Sequence, residues 1–216
     1  LTCDWSSDVC SSDLMNKRTP VCLVLKSAVL LVTLLCVFPL FATNPQKKEM
    51  KELNVKKVSL ANVAVENIPA LLDKEKVAFQ SINTVNWKTF PYQPEVQFRI
   101  AHTDDAILVH YKVKEASVRA VAAGDNGAVW EDACVEFFSI PAGDGIYYNV
   151  ECNCAGILLI GAGAGRENRE HAPQEVMDKV QRWSSLGRQS FEERVGECNW
   201  ELALVIPYSA FFKHQI

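Results

Sequence analysis

The chain has 216 residues, a formal net charge of −4 at pH 7 and eight cysteines. The charge is mildly acidic, and no cluster of lysine and arginine is interleaved with aromatic residues, so the composition does not indicate a nucleic-acid partner. Hydrophobic residues make up 49% of the chain, which is enough for one domain with a core of its own.

Composition divides the chain into four segments. Residues 1–14 resemble a translated sequencing adapter, and residues 15–43 have the basic leader, short apolar run and small-residue ending of an export signal. Residues 44–57 are polar and rich in lysine, and they are predicted to be a linker. Residues 58–216 remain for a single domain, which is expected to be incomplete at its C-terminus.

The apolar run near the N-terminus is shorter than the roughly 20 residues that a transmembrane helix needs. No membrane contact is therefore expected beyond the signal peptide, and the signal predicts a periplasmic or extracellular protein. Translation from Met50 would remove the signal and give a cytoplasmic protein, and the sequence leaves this alternative open.

After the linker, short strands and regular turns dominate. Alternating apolar and polar side chains predict two strands, at 96–100 and 107–113, with a turn at 102–105 between them. A short turn or helix is expected at 69–76. Further strands are expected at 58–65, 117–122, 134–138, 146–152 and 155–160, with a last hairpin over 191–206. This pattern predicts an all-β fold, an antiparallel β-sandwich of immunoglobulin-like or jelly-roll type.

The most informative segment runs from Val129 to Phe138 and reads Val-Trp-Glu-Asp-Ala-Cys-Val-Glu-Phe-Phe. In a strand that buries Val135 and Phe137, Glu136 lies on the opposite face, where Trp130 could reach it. An aromatic ring can stack on the apolar face of a pyranose, and a carboxylate can accept hydrogen bonds from sugar hydroxyls. A tryptophan that only caps the sandwich, beside a solvated glutamate, would give the same pattern.

Metal binding and catalysis have weak sequence signals. Cys152 and Cys154 lack the spacing of zinc ligands, so the cysteines of the domain are interpreted as small buried hydrophobes or as one disulfide. No Gly-x-Ser-x-Gly elbow is present. The run Gly161–Gly165 lacks the helix of a nucleotide site and is expected to be a mobile loop. Four aspartates are interpreted as turn formers rather than calcium ligands: Asp104, Asp105, Asp125 and Asp144.

Four segments, in this order along the chain, resemble the family 9-like carbohydrate-binding modules of bacteria, particularly those of Bacteroides-type gut bacteria. They are Phe98–His102, Val129–Phe138, Tyr148–Glu151 and Trp200–Pro207. The second, with its pattern Trp-Glu-x-x-x-Val-Glu-hydrophobic, is the most specific. The resemblance extends from about Trp87 to Phe212 and implies a β-sandwich.

The resemblance also implies a non-catalytic module that binds a glycan or oligosaccharide. The sugar would stack on Trp130 and its hydroxyls would be held by Glu136, with no cofactor other than a structural calcium ion in some members. In the family, a second aromatic wall comes from beyond the point where this chain ends. Weaker candidates, chosen by strand position and side-chain type, are Arg99, Arg119, Asn149 and Glu151.

Two alternatives remain open at this point. The chain could be an accessory domain of a glycoside hydrolase or another carbohydrate-active enzyme. It could also be a structural or protein-interaction sandwich that binds no sugar.

Overall fold

The computed structural model describes residues 52–61 and 63–216. Within these residues the chain forms ten strands and two short α-helices. The strands are β1 Lys56–Lys57, β2 Gln80–Ile82, β3 Glu95–His102, β4 Ala106–Ala120, β5 Cys134–Ser139, β6 Tyr147–Asn153, β7 Leu158–Gly163, β8 Glu170–His171, β9 Gln181–Ser184 and β10 Phe191–Pro207. The helices are α1 Ile68–Lys74 and α2 Gln174–Met177.

The strands form two sheets. The first has the order β1-β3-β4-β10-β9, with β2 also paired to β3, and the second has the order β5-β6-β7-β8. All pairings are antiparallel except that of β1 with β3. The predicted all-β sandwich is confirmed.

The main hydrophobic core lies between the two sheets, because each strand contributes the side chains of one face. Phe98 and Tyr111 from the first sheet belong to the same buried cluster as Phe137 and Ile160 from the second. A smaller cluster lies on the outer face of the first sheet, where Ile68 and Leu72 of α1 cover the strands. One face of each sheet is therefore committed to the core, and function must be sought on the outer faces and in the loops.

The strand predicted at 58–65 is wrong. The extended pairing ends at Lys57, and α1 follows after a turn and a short 3-10 helix. The structure also starts the first sheet at Lys56, inside the segment 44–57 that was predicted to be a linker. Most of that segment, together with the predicted adapter-derived segment and signal peptide, lies outside the described residues.

Two other predictions divided strands that are continuous. The strand expected at 117–122 is the end of β4, which runs unbroken from Ala106 to Ala120. The hairpin expected over 191–206 is the single strand β10, which pairs with β4 along that strand's whole length. Irregular pairing near Gly196, whose φ is +130°, absorbs the residues that were interpreted as a turn.

Among the described residues, no helix is long and apolar enough to cross a membrane.

Candidate functional site

Trp130 lies on a single 3-10 turn, Val129–Glu131, between β4 and β5. Val129 is fully buried and anchors the turn, whereas the side chain of Trp130 is 56% exposed. The turn packs against β5 and β6 of the second sheet. The indole is therefore presented to solvent and is not part of the core.

Asp132 links the end of this turn to the segment that follows β4 and to the end of β6. Its carboxylate accepts hydrogen bonds from the backbone N–H groups of Val121 and Ala122 (both 3.0 Å) and from Asn153 Nδ2 (2.9 Å). Burial raises the pKa of Asp132, but these hydrogen bonds and the charge of Arg119 outweigh it and hold the pKa below its ordinary value. Asp132 is thus an ionised structural anchor for the tryptophan-bearing turn.

The turn also brings Arg119, one of the weaker sequence candidates, next to Trp130. The guanidinium of Arg119 donates a hydrogen bond to the backbone carbonyl of Glu131, and its Nε lies 3.5 Å from Asp132 Oδ1. Its side chain is partly exposed. Arg119 therefore places a partly exposed guanidinium against the backbone of the turn that carries Trp130.

The strand register places the predicted acids on one face. Val135 and Phe137 are buried in the core, as the alternation predicted, so Glu136 and Phe138 lie on the outer face of the second sheet. Glu136 is directly opposite Glu151 on β6, and Phe138 is opposite Asn149. Residues opposite each other in an antiparallel pair have Cβ atoms about 4.5–5.5 Å apart, so the two glutamates are close neighbours.

This face, formed by Glu136, Phe138, Tyr147, Asn149 and Glu151, is called here the acceptor face. Asn149 and Glu151 are buried, and the amide of Asn149 donates to Glu151 Oε1. Asn149 Oδ1, Glu151 Oε2 and the Tyr147 hydroxyl have no hydrogen-bond partner in the described part of the chain. A buried polar group without a partner costs about 1–3 kcal/mol, and like charges on opposed strands add to that cost. Among the described residues, the acceptor face thus has buried acceptor oxygens, on Asn149 and Glu151, that no donor satisfies.

Two glycines lie beside the acceptor face and leave space for a neighbouring arginine. Gly161 and Gly163 on β7 are opposite Asn149 and Tyr147, and the side chain of Arg169 lies over both. A Cβ atom at Gly163 would come within 3.2 Å of Arg169 Cα and Cγ, so a larger residue there would require Arg169 to shift. The guanidinium carbon of Arg169 is 5.9 Å from the centre of the Tyr147 ring.

These contacts correct the prediction of a mobile glycine loop, because Gly161–Gly163 belongs to β7. Sequence reasoning also missed Arg169 and Tyr147 as neighbours of the acceptor face. The available signal was the alternation of glycines in a strand-like run, which marks a close approach of another part of the chain.

Arg99 is not part of this group. It lies on β3 between Phe98 and Ile100, whose side chains face the core, so its own side chain points to the opposite, outer face of the first sheet. There it is buried, and it donates to Asp73 Oδ1 (2.5 Å) and to the Pro69 carbonyl (2.7 Å) at α1. The structure therefore gives Arg99 a role in docking α1.

His110 extends this docking network. It accepts a hydrogen bond from Arg99 Nε at Nδ1 (3.0 Å), so its proton is on Nε2, which faces Glu201 Oε2 at 2.8 Å. Burial lowers the pKa of His110 to about 4, which keeps the ring neutral near pH 7.

The four cysteines of the described residues are free thiols, so the alternative of a disulfide is not what the structure shows. Cys152 and Cys154 are completely buried in the core. Burial raises the pKa of each of these two thiols to about 12. They behave as small hydrophobes.

Three of the four turn aspartates form ion pairs within the protein. Asp125 pairs with Arg182, Asp144 with His214, and Asp104 with Lys57, so each carboxylate faces a basic side chain of the protein. Among the described residues, no group of three or more His, Cys, Asp or Glu side chains is placed to hold a metal ion.

The fold is a β-sandwich that carries an exposed tryptophan on one turn and a row of acceptor oxygens on the outer face of its second sheet. Residues 66–216 match the model of carbohydrate-binding family 9. A candidate carbohydrate-binding protein from Bacteroides uniformis ATCC 8492, known from a crystal structure, is similar to this chain, with 63% identity and a TM-score of 0.74 over 76% of each chain. No curated protein matches. The chain belongs to carbohydrate-binding family 9, a family of binding modules.

Replacement of Asp132 by alanine is expected to lower the free energy of unfolding by about 1–3 kcal/mol, because the side-chain amide of the buried Asn153 and two backbone N–H groups lose their acceptor. Thermal or urea denaturation measures this change. Replacement of the exposed Glu131 by alanine is the matched control, because its backbone carbonyl remains to accept from Arg119. Equal stability of the two variants would contradict the anchoring role.

Proposed function

We propose that the protein binds glycans without cleaving them, with a pyranose ring stacked on Trp130 and sugar hydroxyls held by Glu136. The observation that carries this proposal is the exposure of Trp130 on a turn that is fixed from both sides. Val129 anchors the turn in the core, and Asp132 accepts a hydrogen bond from the backbone N–H of Val121, just after β4. Such a ring is already ordered before a ligand arrives, so binding costs little conformational entropy.

The acceptor face supports the choice of a polyhydroxylated ligand. Glu136 and Glu151 are neighbours across β5 and β6, and oxygens of Glu151 and Asn149 lack donors in the described part of the chain. Sugar hydroxyls are donors of the right kind, and hydrogen bonds to a carboxylate are stronger than those between neutral groups. Glu136 is half-buried and is the residue assigned to direct contact, with Glu151 and Asn149 behind it.

Arg119 complements these acceptors. Its guanidinium lies beside the turn of Trp130 and is partly exposed, so it is placed to donate to sugar oxygens at the rim of the site. A shallow site of this kind has few contacts. We therefore expect dissociation constants in the micromolar to millimolar range.

The proposed setting is the periplasm or the cell exterior, and it rests on the export signal predicted at residues 15–43. A binding module there would meet glycans directly. No cofactor is required by the proposed mode of binding.

A glycan array with the full chain tests the proposal, followed by calorimetric titration of the best ligand. We expect binding of neutral saccharides and no release of reducing sugar on prolonged incubation. Turnover would favour the enzyme-linked alternative, and absence of binding to any glycan would overturn the proposal.

Replacement of Glu136 by glutamine keeps the size of the side chain and removes its charge. We expect the binding free energy to weaken by about 1–1.5 kcal/mol, because glutamine keeps an acceptor oxygen and replaces a charged hydrogen bond by a neutral one. Calorimetric titration measures the change. Replacement of Glu192, an exposed glutamate on β10, by glutamine is the matched control and should leave affinity unchanged.

A further inference from the structure

Three exposed aromatic residues lie within one six-residue stretch of the chain, apart from the acceptor face and Trp130. They are on the loop 83–94 between β2 and β3, here called the aromatic loop. Trp87 is 39% exposed, Phe90 64% and Tyr92 59%. Single exposed hydrophobic residues are normal on a protein surface, but a contiguous group marks a binding surface.

The aromatic loop is held in place and is stiff. The hydroxyl of Tyr92 accepts a hydrogen bond from the backbone N–H of Ala116 on β4 (2.8 Å), and the N–H of Phe90 donates to the Trp87 carbonyl (3.1 Å). Pro91 flanks these aromatics and restricts the backbone. Rings that are already ordered lose little entropy when a ligand binds.

The edge of β4 connects the aromatic loop to Trp130. β10 occupies one edge of β4 along its whole length, and β3 occupies the other edge up to Lys114. That second edge is then taken by Tyr92 at Ala116, and next by the N–H of Ala133, which donates to the Arg119 carbonyl (3.0 Å). The aromatic loop and the tryptophan-bearing turn are therefore consecutive neighbours along the same edge.

The spacing of the two contacts along β4 gives the distance between the points at which these segments are attached. Ala116 and Arg119 are three residues apart, which corresponds to about 10 Å in a strand. This distance exceeds the width of one sugar ring. A ligand that contacts both segments is therefore expected to be longer than a monosaccharide.

We infer that the aromatic loop is a further sugar subsite, which binds the continuation of an oligosaccharide whose terminal or internal ring is stacked on Trp130. This inference rests on the proposed function. The subsite supplies ring faces and few charges, since Lys88 is the one charged residue of segment 83–94. It therefore recognises the apolar faces of neutral pyranoses and makes the site selective for chain length.

Calorimetric titration of the full chain with a monosaccharide and with a longer oligosaccharide of the same sugar, both chosen from the glycan array, tests the subsite. We expect the oligosaccharide to bind about threefold to tenfold more tightly, which corresponds to the stacking contribution of an aromatic ring. Phe90→Ser should remove most of this gain and leave the affinity for the monosaccharide unchanged. Ile140→Ser, at an exposed apolar residue after β5, is the matched control and should change neither affinity.

A wild-type protein that binds both ligands equally, or a Phe90→Ser variant that keeps the full gain, would overturn the subsite and leave the proposed function intact. Failure of the wild-type protein to bind any saccharide would overturn both. Melting temperatures of the variants establish that they are folded. Trp87→Ala provides a second test, because loss of the gain in both variants locates the subsite on the loop.

Discussion

Replacement of Trp130 by alanine is expected to abolish measurable glycan binding with little change in melting temperature. The indole is more than half exposed, and the buried Val129 still anchors the turn in the variant. Substitutions at exposed positions usually change the free energy of unfolding by no more than about 0.5 kcal/mol. Calorimetric titration and differential scanning calorimetry measure the two effects separately.

Trp130→Phe is a conservative variant for comparison, because it keeps an aromatic ring of smaller area. We expect it to retain part of the affinity. If Trp130→Ala bound glycans as tightly as the wild-type protein, the assignment of the site to this tryptophan would fail. A large drop in melting temperature would show instead that the indole supports the fold.

The largest expected loss of stability follows from replacing Arg182 by methionine. Arg182 and Asp125 form a two-point ion pair, with distances of 2.6 and 2.8 Å. Only 7% of the arginine side chain and 14% of the aspartate side chain are exposed. Arg182 also donates to the carbonyl of Met177 (3.0 Å) and so joins β9 to α2. Breaking a buried pair leaves an uncompensated charge and costs about 3–5 kcal/mol.

Urea denaturation measures this loss. The matched control is Lys114→Met, which removes the exposed pair of Lys114 and Glu197 (3.1 Å). Exposed pairs contribute about 0–1 kcal/mol, so this variant should be nearly as stable as the wild-type protein. Similar losses in the two variants would contradict the importance of burial.

The pH dependence of the free energy of unfolding provides a second test of the ion pair between Asp125 and Arg182. Burial raises the pKa of this carboxyl, but hydrogen bonds from Arg182 and the Leu158 backbone N–H, with the charge of Arg182, outweigh it and lower the pKa. A carboxyl whose pKa is lowered by folding stabilises the protein above its unfolded pKa of about 3.9. This stabilisation is lost as the pH falls further, so the difference between wild type and Arg182→Met should shrink below about pH 4.

The local pattern of side chains was sufficient for the candidate site on β5. Val135 and Phe137 had to be buried for the strand to contribute to a core, and this placed Glu136 on the other face. The same alternation predicted the face of Phe98 and Ile100 on β3. The alternation also places Arg99 on the face opposite the core, as observed. It could not show that α1 covers that face.

Contacts between distant segments decided the rest of the site. Arg169 packs over Gly161 and Gly163 of β7, beside the acceptor face. The aromatic loop and the segment that follows the tryptophan-bearing turn are both bonded to β4, at Ala116 and Arg119. Contacts between segments that are distant in sequence could not be predicted, since nothing in either segment specifies which strand edge it will occupy.

The sequence by itself determined the all-β class, the strands β3, β5 and β6, and the face to which each candidate side chain on them points, because these follow from a period of two residues. Only the tertiary structure decided that β4 and β10 are continuous. Polar residues and Gly196 within them look like turns locally, yet the long antiparallel pairing holds both strands extended. It also decided which side chains meet, since that depends on strand register and packing.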